Sequence, residues 1–134
     1  ETPRLVDKKD KLVILIAEDN ESNYKLFETI LKKNYTLIHA WDGEEAVQLF
    51  KQHNPHLVLM DINMPKMDGY EATQKIREIS PDVPVMAITA FAYAEDEQHI
   101  LNSGFNAYTS KPIQAEQLQK QIGNLLKKHF LFLY

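Results

Sequence analysis

The sequence predicts an α/β fold in which a five-stranded parallel sheet carries helices on both faces. Three observations predict it. Short, unbroken apolar runs recur along the chain, as strands buried on both faces require. Longer segments with apolar residues at helical spacing lie between them. The alternation is regular, which is the pattern of parallel strands joined by helical crossovers.

The first run, 12–17 (LVILIA), is a strand. Glu18, Asp19 and Asn20 follow it, then a helix with Tyr24, Phe27, Ile30 and Leu31 on one face. A second strand spans 35–40 (YTLIHA) and breaks at Asp42-Gly43. Ala46, Val47, Leu49 and Phe50 then recur at helix-like spacing. The third strand, 57–60 (LVLM), runs up to Asp61. The loop behind it, INMPKMDG, holds a proline and a glycine, both strong breakers. A helix over 70–79 stops before Pro81. The fourth strand, 83–88, has Pro84 near its start and ends at Thr89. A helix of weaker pattern covers 95–103, with Gly104 as its stop. The short fifth strand, 105–109, is closed by Ser110-Lys111-Pro112. A last helix carries Leu118, Ile122, Leu125, Leu126 and Phe130.

Size and charge narrow the function. A chain of 134 residues suits one domain with one core. The formal net charge of -4 argues against direct binding of DNA or RNA, which calls for a basic surface. The absence of cysteine removes disulfides, thiolate zinc sites and a thiol nucleophile together. No apolar run is long enough to span a bilayer, so no membrane contact by this domain is expected. Residues 1–11 (ETPRLVDKKDK) are too charged for a signal peptide and read as a linker or the edge of an excised domain. The domain proper is 12–128. The tail 129–134 (HFLFLY) is unusually apolar. It either lengthens the last helix over the domain's own core or meets a neighbouring domain or a second copy.

The polar residues collect at strand ends. Glu18 and Asp19 follow the first strand, Asp61 ends the third, Thr89 ends the fourth, and Lys111 lies just past the fifth. In an open parallel sheet these ends share one edge, and ligands bind there at the point where strand order reverses. With the order 2-1-3-4-5, strands one and three straddle that point and Glu18, Asp19 and Asp61 converge. Three carboxylates in one pocket repel each other unless a cation intervenes. Few carboxylates with open positions for water and phosphate oxygens suit Mg²⁺. Lys111 adds a compact positive charge and Thr89 a hydroxyl donor. An Asp nucleophile, a metal, a lysine and a hydroxyl together describe a phosphoryl site.

At these residues the chain resembles the receiver domains of two-component and phosphorelay signalling. The resemblance rests on Glu18-Asp19 after LVILIA, on LVLMDINMPKMDGYEAT around Asp61, on ITA at 88–90 and on SKP at 110–112, in order over roughly 12–128. It implies a flavodoxin-like (βα)5 sandwich; the switch-point rule for this strand order was itself framed on folds that include a receiver. It implies Asp61 as phosphoacceptor, and Asp19, Asp61 and the Asn63 carbonyl as direct Mg²⁺ ligands, with Glu18 acting through water. Thr89 and Lys111 become phosphoryl contacts, Ala90 the small residue beside the group, and Tyr108 an aromatic that changes rotamer on activation. Pro112 follows a cis peptide bond. Asn63 and Phe91 occupy positions that tune the lifetime of the phosphoryl group. The acidic pair departs from the more frequent Asp-Asp, and Glu18 is one methylene longer. The implied donor is a histidine kinase domain or a histidine phosphotransfer domain. The implied setting is cytoplasmic, or the cytoplasmic side of the membrane if the domain ends a hybrid sensor kinase, whose receivers AEDNESN and the Asp61 loop resemble more than they resemble DNA-binding regulators. A free-standing regulator of the short chemotaxis type is the other context. Dimerisation through the fourth helix, fifth strand and fifth helix is a further expectation.

Taken singly, these residues have commoner explanations. An isolated Asp61 is a strand-end cap, Thr89 satisfies backbone, Lys111 is a solvated lysine and Tyr108 a half-buried sheet aromatic. His53 and His56, around Asn54-Pro55, read as a solvated loop because no third ligand is nearby. His39, His99 and His129 carry no context for a phosphodonor. Two rivals stand beside the main reading. One is a pseudo-receiver, an interaction module that never takes phosphate. The other is an Asp-nucleophile phosphatase, which needs a second Asp where this chain has Asn63, a residue that cannot protonate a leaving group.

Overall fold

The computed structural model describes residues 4–7, 11–90 and 94–133. In chain order the elements are β1 (Arg4–Asp7), β2 (Val13–Ala17), α1 (Glu21–Leu31), β3 (Thr36–Ala40), α2 (Gly43–His53), β4 (Leu57–Asp61), α3 (Gly69–Ile79), β5 (Val85–Thr89), α4 (Ala94–Asn102), β6 (Ala107–Ser110), α5 (Ala115–His129) and β7 (Phe130–Leu133). Strands β2 to β6 form one parallel sheet in the order β3-β2-β4-β5-β6. Counted among themselves the five follow 2-1-3-4-5, the flavodoxin-like order the sequence led us to expect.

Two apolar layers hold the sheet. Alternate residues of a strand face opposite sides. Leu15, Val58, Met60, Val85 and Ala87 therefore meet Val47, Phe50, Ala72, Ile76 and Ile100 of α2, α3 and α4. Ile14, Ile16, Leu57, Leu59, Met86 and Ile88 meet Phe27, Leu31, Leu118, Ile122 and Leu126 of α1 and α5. The inner strands β4 and β5 are buried at every position, which explains their unbroken apolar runs. Removing a large side chain here, such as the fully buried Phe27 or Phe50, costs about 3–5 kcal/mol.

Helix starts are written in short-range chemistry. The side chains of Asn20, Asp42 and Asp68 accept the amides of Asn23, Glu45 and Glu71 at 2.9, 2.8 and 2.9 Å. Each cap satisfies an amide that the first turn leaves without a partner. These caps set α1, α2 and α3 to begin at the sheet edge where the preceding strands end. Gly104, at φ 99, ends the α4 segment as expected, in the left-handed region a glycine enters at no steric cost.

Element bounds differ from the sequence reading by a residue or two at several places, and three strand starts show why. Pro84 has no N–H to give to the sheet, so β5 begins at Val85, while the Pro84 carbonyl still accepts the Val58 amide at 3.0 Å. β6 begins at Ala107, because Asn106 spends its side chain on the Val85 amide at 2.8 Å. β2 begins at Val13, though Leu12 is buried and its carbonyl takes the Thr36 amide.

The chain ends differ more. Within 1–11, read as a linker, Arg4–Asp7 forms a strand, and it pairs in parallel with Phe130–Leu133. The tail does not lengthen the last helix: α5 ends at His129 and the chain turns extended at Phe130. Phe130 is buried against the α1 and α5 layer, with its ring 5.4 Å from that of His56. His56 is accordingly not a solvated loop residue. It is half-buried and its Nδ1 accepts the Val13 amide at 3.0 Å.

Arg77, which the sequence did not single out, ties the far edge of the sheet together. Its guanidinium donates to the Gly104 carbonyl at 3.0 and 2.8 Å, to the Val83 carbonyl, and to Asn106 Oδ1 at 2.7 Å. Among the described residues no helix is long and apolar enough to cross a membrane.

Candidate functional site

Parallel strands deliver their C-terminal ends to one edge, and the polar residues picked from the sequence meet there. Glu18 leaves β2, Asp61 ends β4, Thr89 ends β5, and Lys111 leaves β6. One ligand oxygen each from Glu18, Asp19 and Asp61 lies within 4.8 Å of the others. Glu18 and Asp61 are buried, at 1% and 3% exposure, while Asp19 is open to solvent.

Lys111 closes the cluster. Its Nζ donates to Asp61 Oδ2 at 3.0 Å and stands 3.4 Å from Glu18 Oε1. The Asn63 amide donates to Asp61 Oδ1 at 3.1 Å, and the Asn20 amide to Glu18 Oε2 at 3.2 Å. Glu18 Oε1 makes no hydrogen bond among the described residues, although it is buried and charged groups surround it. A buried carboxylate oxygen without a donor is costly.

The electrostatics follow. Burial, and next the charge of Asp61, push the Glu18 carboxyl up from its ordinary 4.5 to about 7, against the opposing pull of Lys111 and the Asn20 amide. Desolvation pulls the Lys111 ammonium down, but its contacts with Asp61 and Glu18 together outweigh that and hold it above its ordinary value. The pocket thus carries more negative charge than one lysine balances. Its oxygen donors, the open Asp19 and the orphaned Glu18 oxygen fit a small hard divalent cation.

The remaining predicted residues fall around this centre. Thr89 is buried at 4% exposure, and its carbonyl accepts the Lys111 amide at 2.8 Å. Ala90 and Asn63 are exposed at the same edge. The Lys111–Pro112 bond is cis. Tyr108 is half-buried, and its phenol is pushed up by a hydrogen bond to Glu97 of α4, with some desolvation. Phe91 lies outside the described residues.

Three contacts at the site were not legible in the sequence. His39, a residue with no motif around it, reaches the Glu18 carbonyl through Nε2 at 2.8 Å and stacks on Tyr24 with ring centres 3.7 Å apart. Gly69 abuts the end of β4, where a Cβ would stand 2.4 Å from the Asp61 carbonyl oxygen. Gly43 lies against the Met67 carbonyl. The pattern Asp42-Gly43-Glu44-Glu45 does announce a helix start, but nothing local announces what that start touches.

Residues 14–123 match the family model of the response regulator receiver domain. The chain is a response regulator receiver domain. As such it belongs to two-component and phosphorelay signalling. The receiver is 39% identical over 116 residues to the polar-differentiation response regulator DivK of Brucella ovis, covering 84% of this chain and 94% of that protein. It is similar to the receiver domain of the sensor histidine kinase PA1611 of Pseudomonas aeruginosa, solved with a magnesium ion coordinated in its active-site cleft. The two share 32% identity and a TM-score of 0.81, over 88% of this chain and 99% of that one. It is also similar to the receiver domain of Ssk1 of Saccharomyces cerevisiae, solved with the histidine phosphotransfer protein Ypd1, at 30% identity and a TM-score of 0.84, covering 90% and 92% of the two chains.

Proposed function

We propose that this receiver domain takes a phosphoryl group from a phosphohistidine onto Asp61 and changes conformation as a result. One observation carries the reading: Asp61 lies within 4.8 Å of two further carboxylate ligands and has the Lys111 ammonium 3.0 Å from its Oδ2. Glu18, Asp19, Asp61 and the Asn63 carbonyl would hold Mg²⁺, which when bound offsets the carboxylate charge and polarises phosphoryl oxygens.

The chain's own residues prepare the rest. The Asn63 amide and Lys111 hold the two Asp61 oxygens, so the nucleophile is oriented before a donor arrives. An Asp61 oxygen attacks phosphorus. The new O–P bond forms as the P–N bond to the donor imidazole breaks, and the electron pair leaves on that nitrogen. Lys111 then turns its N–H groups toward the phosphoryl oxygens, and Thr89 donates its hydroxyl to them. Tyr108 leaves Glu97 and packs inward, which shifts the population of the α4, β6 and α5 surface that partners, or a second copy, read.

The magnesium-bound PA1611 receiver supports the metal, and the Ypd1–Ssk1 complex supports a histidine phosphotransfer domain as donor. A sensor kinase context and a separate regulator both have support, from PA1611 and DivK respectively. In either context we place the domain on the cytoplasmic side.

Intact mass after incubation with acetyl phosphate and Mg²⁺ tests the reading. A metal-dependent gain of one phosphoryl group, absent from Asp61→Asn, is the expected result. Failure to take up either that group or beryllofluoride, which mimics it, would leave an interaction module alone.

A further inference from the structure

The turn between β3 and α2 stands between the two loops of the metal site. On one side the Ala40 carbonyl accepts the Glu18 amide at 2.9 Å, so this turn holds the acidic pair. On the other side Gly43, the first residue of α2, lies against the loop that leaves Asp61. A Cβ at Gly43 would stand 2.2 Å from the Met67 carbonyl oxygen, 2.9 Å from its carbon and 3.1 Å from the Met67 Cβ. The first two of these are fixed backbone atoms, not the end of a flexible side chain.

Each partner is held by bonds of its own. α2 is pinned by Asp42, whose side chain accepts the Glu45 amide at 2.8 Å, while Glu45 returns to the Trp41 amide at 2.9 Å. Glu45 and Asp42 thus clasp the turn from both sides of Gly43. The loop is tied to itself and to Asp42. The Gly69 amide donates to the Ile62 carbonyl at 2.9 Å, the Met67 amide to Pro65 at 2.7 Å, and Lys66 Nζ meets Asp42 Oδ2 at 3.5 Å. Asn63 sits inside that clasp, four residues before Met67, with its amide on Asp61 Oδ1.

We propose that Gly43 is a positioning residue: its bare Cα lets α2 act as a backstop that holds the Asp61–Gly69 loop at the distance from Glu18 and Asp19 that cation binding needs. The inference rests on the function proposed above and deepens it. A side chain at 43 displaces Met67, and the tight loop passes the displacement to Asn63. Outer contacts that orient ligands typically change metal affinity by about 10- to 100-fold.

The chain supplies its own control. Gly123, in the middle of α5, has nothing within 4 Å of where its Cβ would be. Mg²⁺ binding by titration calorimetry is measured for the unsubstituted protein, Gly43→Ala and Gly123→Ala, with circular dichroism to establish that each is folded. Gly43→Ala is expected to bind Mg²⁺ about 10-fold more weakly, and Gly123→Ala as tightly as the parent. Equal affinity in folded Gly43→Ala overturns the proposal. A second measurement needs no variant. If α2 braces the loop, coupling is reciprocal, and Mg²⁺ must slow amide exchange at Glu45 and Ala46 as well as at Asn63 and Gly69. Slowing confined to the loop also overturns it. The two readings fail separately. A parent protein that binds no Mg²⁺ takes down the proposed function and this inference with it, whereas a parent that binds and phosphorylates while Gly43→Ala does the same removes the inference only.

Discussion

Lys111 Nζ lies 3.0 Å from Asp61 Oδ2 and bridges to Glu18 Oε1 at 3.4 Å. One ammonium on the last sheet strand's exit loop therefore holds together carboxylates delivered by two other strands. The same contact sets what each partner can do next. It leaves Asp61 aimed, and it leaves Glu18 only partly compensated.

The first prediction concerns Lys111 itself. Under the proposed function Lys111→Met removes a donor that would face the transferred group, and loss of one such donor costs on the order of 100-fold in rate. It also removes a positive charge beside a cation site. Mg²⁺ affinity should therefore hold or rise while the rate of adduct formation from acetyl phosphate falls. Mass spectrometry against time, paired with metal titration, separates the two effects. A parallel loss of both would mean that Lys111 only keeps the pocket folded.

Glu18 supplies a pH dependence. Its folded pKa, about 7, lies above its ordinary 4.5. Between those values the folded protein keeps a proton that the unfolded chain releases, so stability of the metal-free protein falls as pH rises through this window. Glu18→Gln removes that penalty. The metal-free variant should be more stable than the parent at pH 8, by up to about 3 kcal/mol, with little difference at pH 4.5. Thermal melts at both pH values measure it, and an equal difference at the two would refute the assignment. Mg²⁺ should raise the melting temperature of the parent more at pH 8 than at pH 6, because the ion competes with the proton.

Thr73 offers a gain. It is fully buried in α3, and its hydroxyl finds no partner among the described residues. Thr73→Val keeps the shape and removes an unsatisfied polar atom, which is worth about 1 kcal/mol. A melting temperature higher by about 3 °C is expected. A lower one would reveal a partner for the hydroxyl.

Arg77 separates stability from chemistry. Arg77→Met strips donors from the carbonyls of Gly104 and Val83 and from Asn106, all at the sheet edge opposite Asp61. The buried Val83 carbonyl and the half-buried Gly104 carbonyl lose these donors, while Asn106 keeps the Val85 amide, and the loss should cost about 1–3 kcal/mol. Mg²⁺ affinity should not move. Chemical denaturation and metal titration on the same variant check both halves.

Much of the molecule was legible in the linear sequence. The apolar runs of β4 and β5 had to be interior strands, because nothing else buries both faces of so short a segment. The amphipathic stretches between them had to be crossovers. Once the strands run parallel, Glu18, Asp61, Thr89 and Lys111 must share an edge, so the membership of the site followed from period and order alone. The caps at Asn20, Asp42 and Asp68 were equally local.

Contacts between distant stretches of chain belonged to the tertiary structure alone. Four residues at Arg4–Asp7 have no periodicity long enough to read, and become a strand only because Phe130–Leu133 lies beside them. The proton affinity of Glu18 depends on burial and on Asp61, forty-three positions away by the numbering. Gly43 reads as a break in the sequence and gains its meaning from the Met67 carbonyl. Periodicity reports which face of an element is buried. It carries no record of which backbone atom will stand against that face, and that is the quantity on which the fine geometry of this site depends.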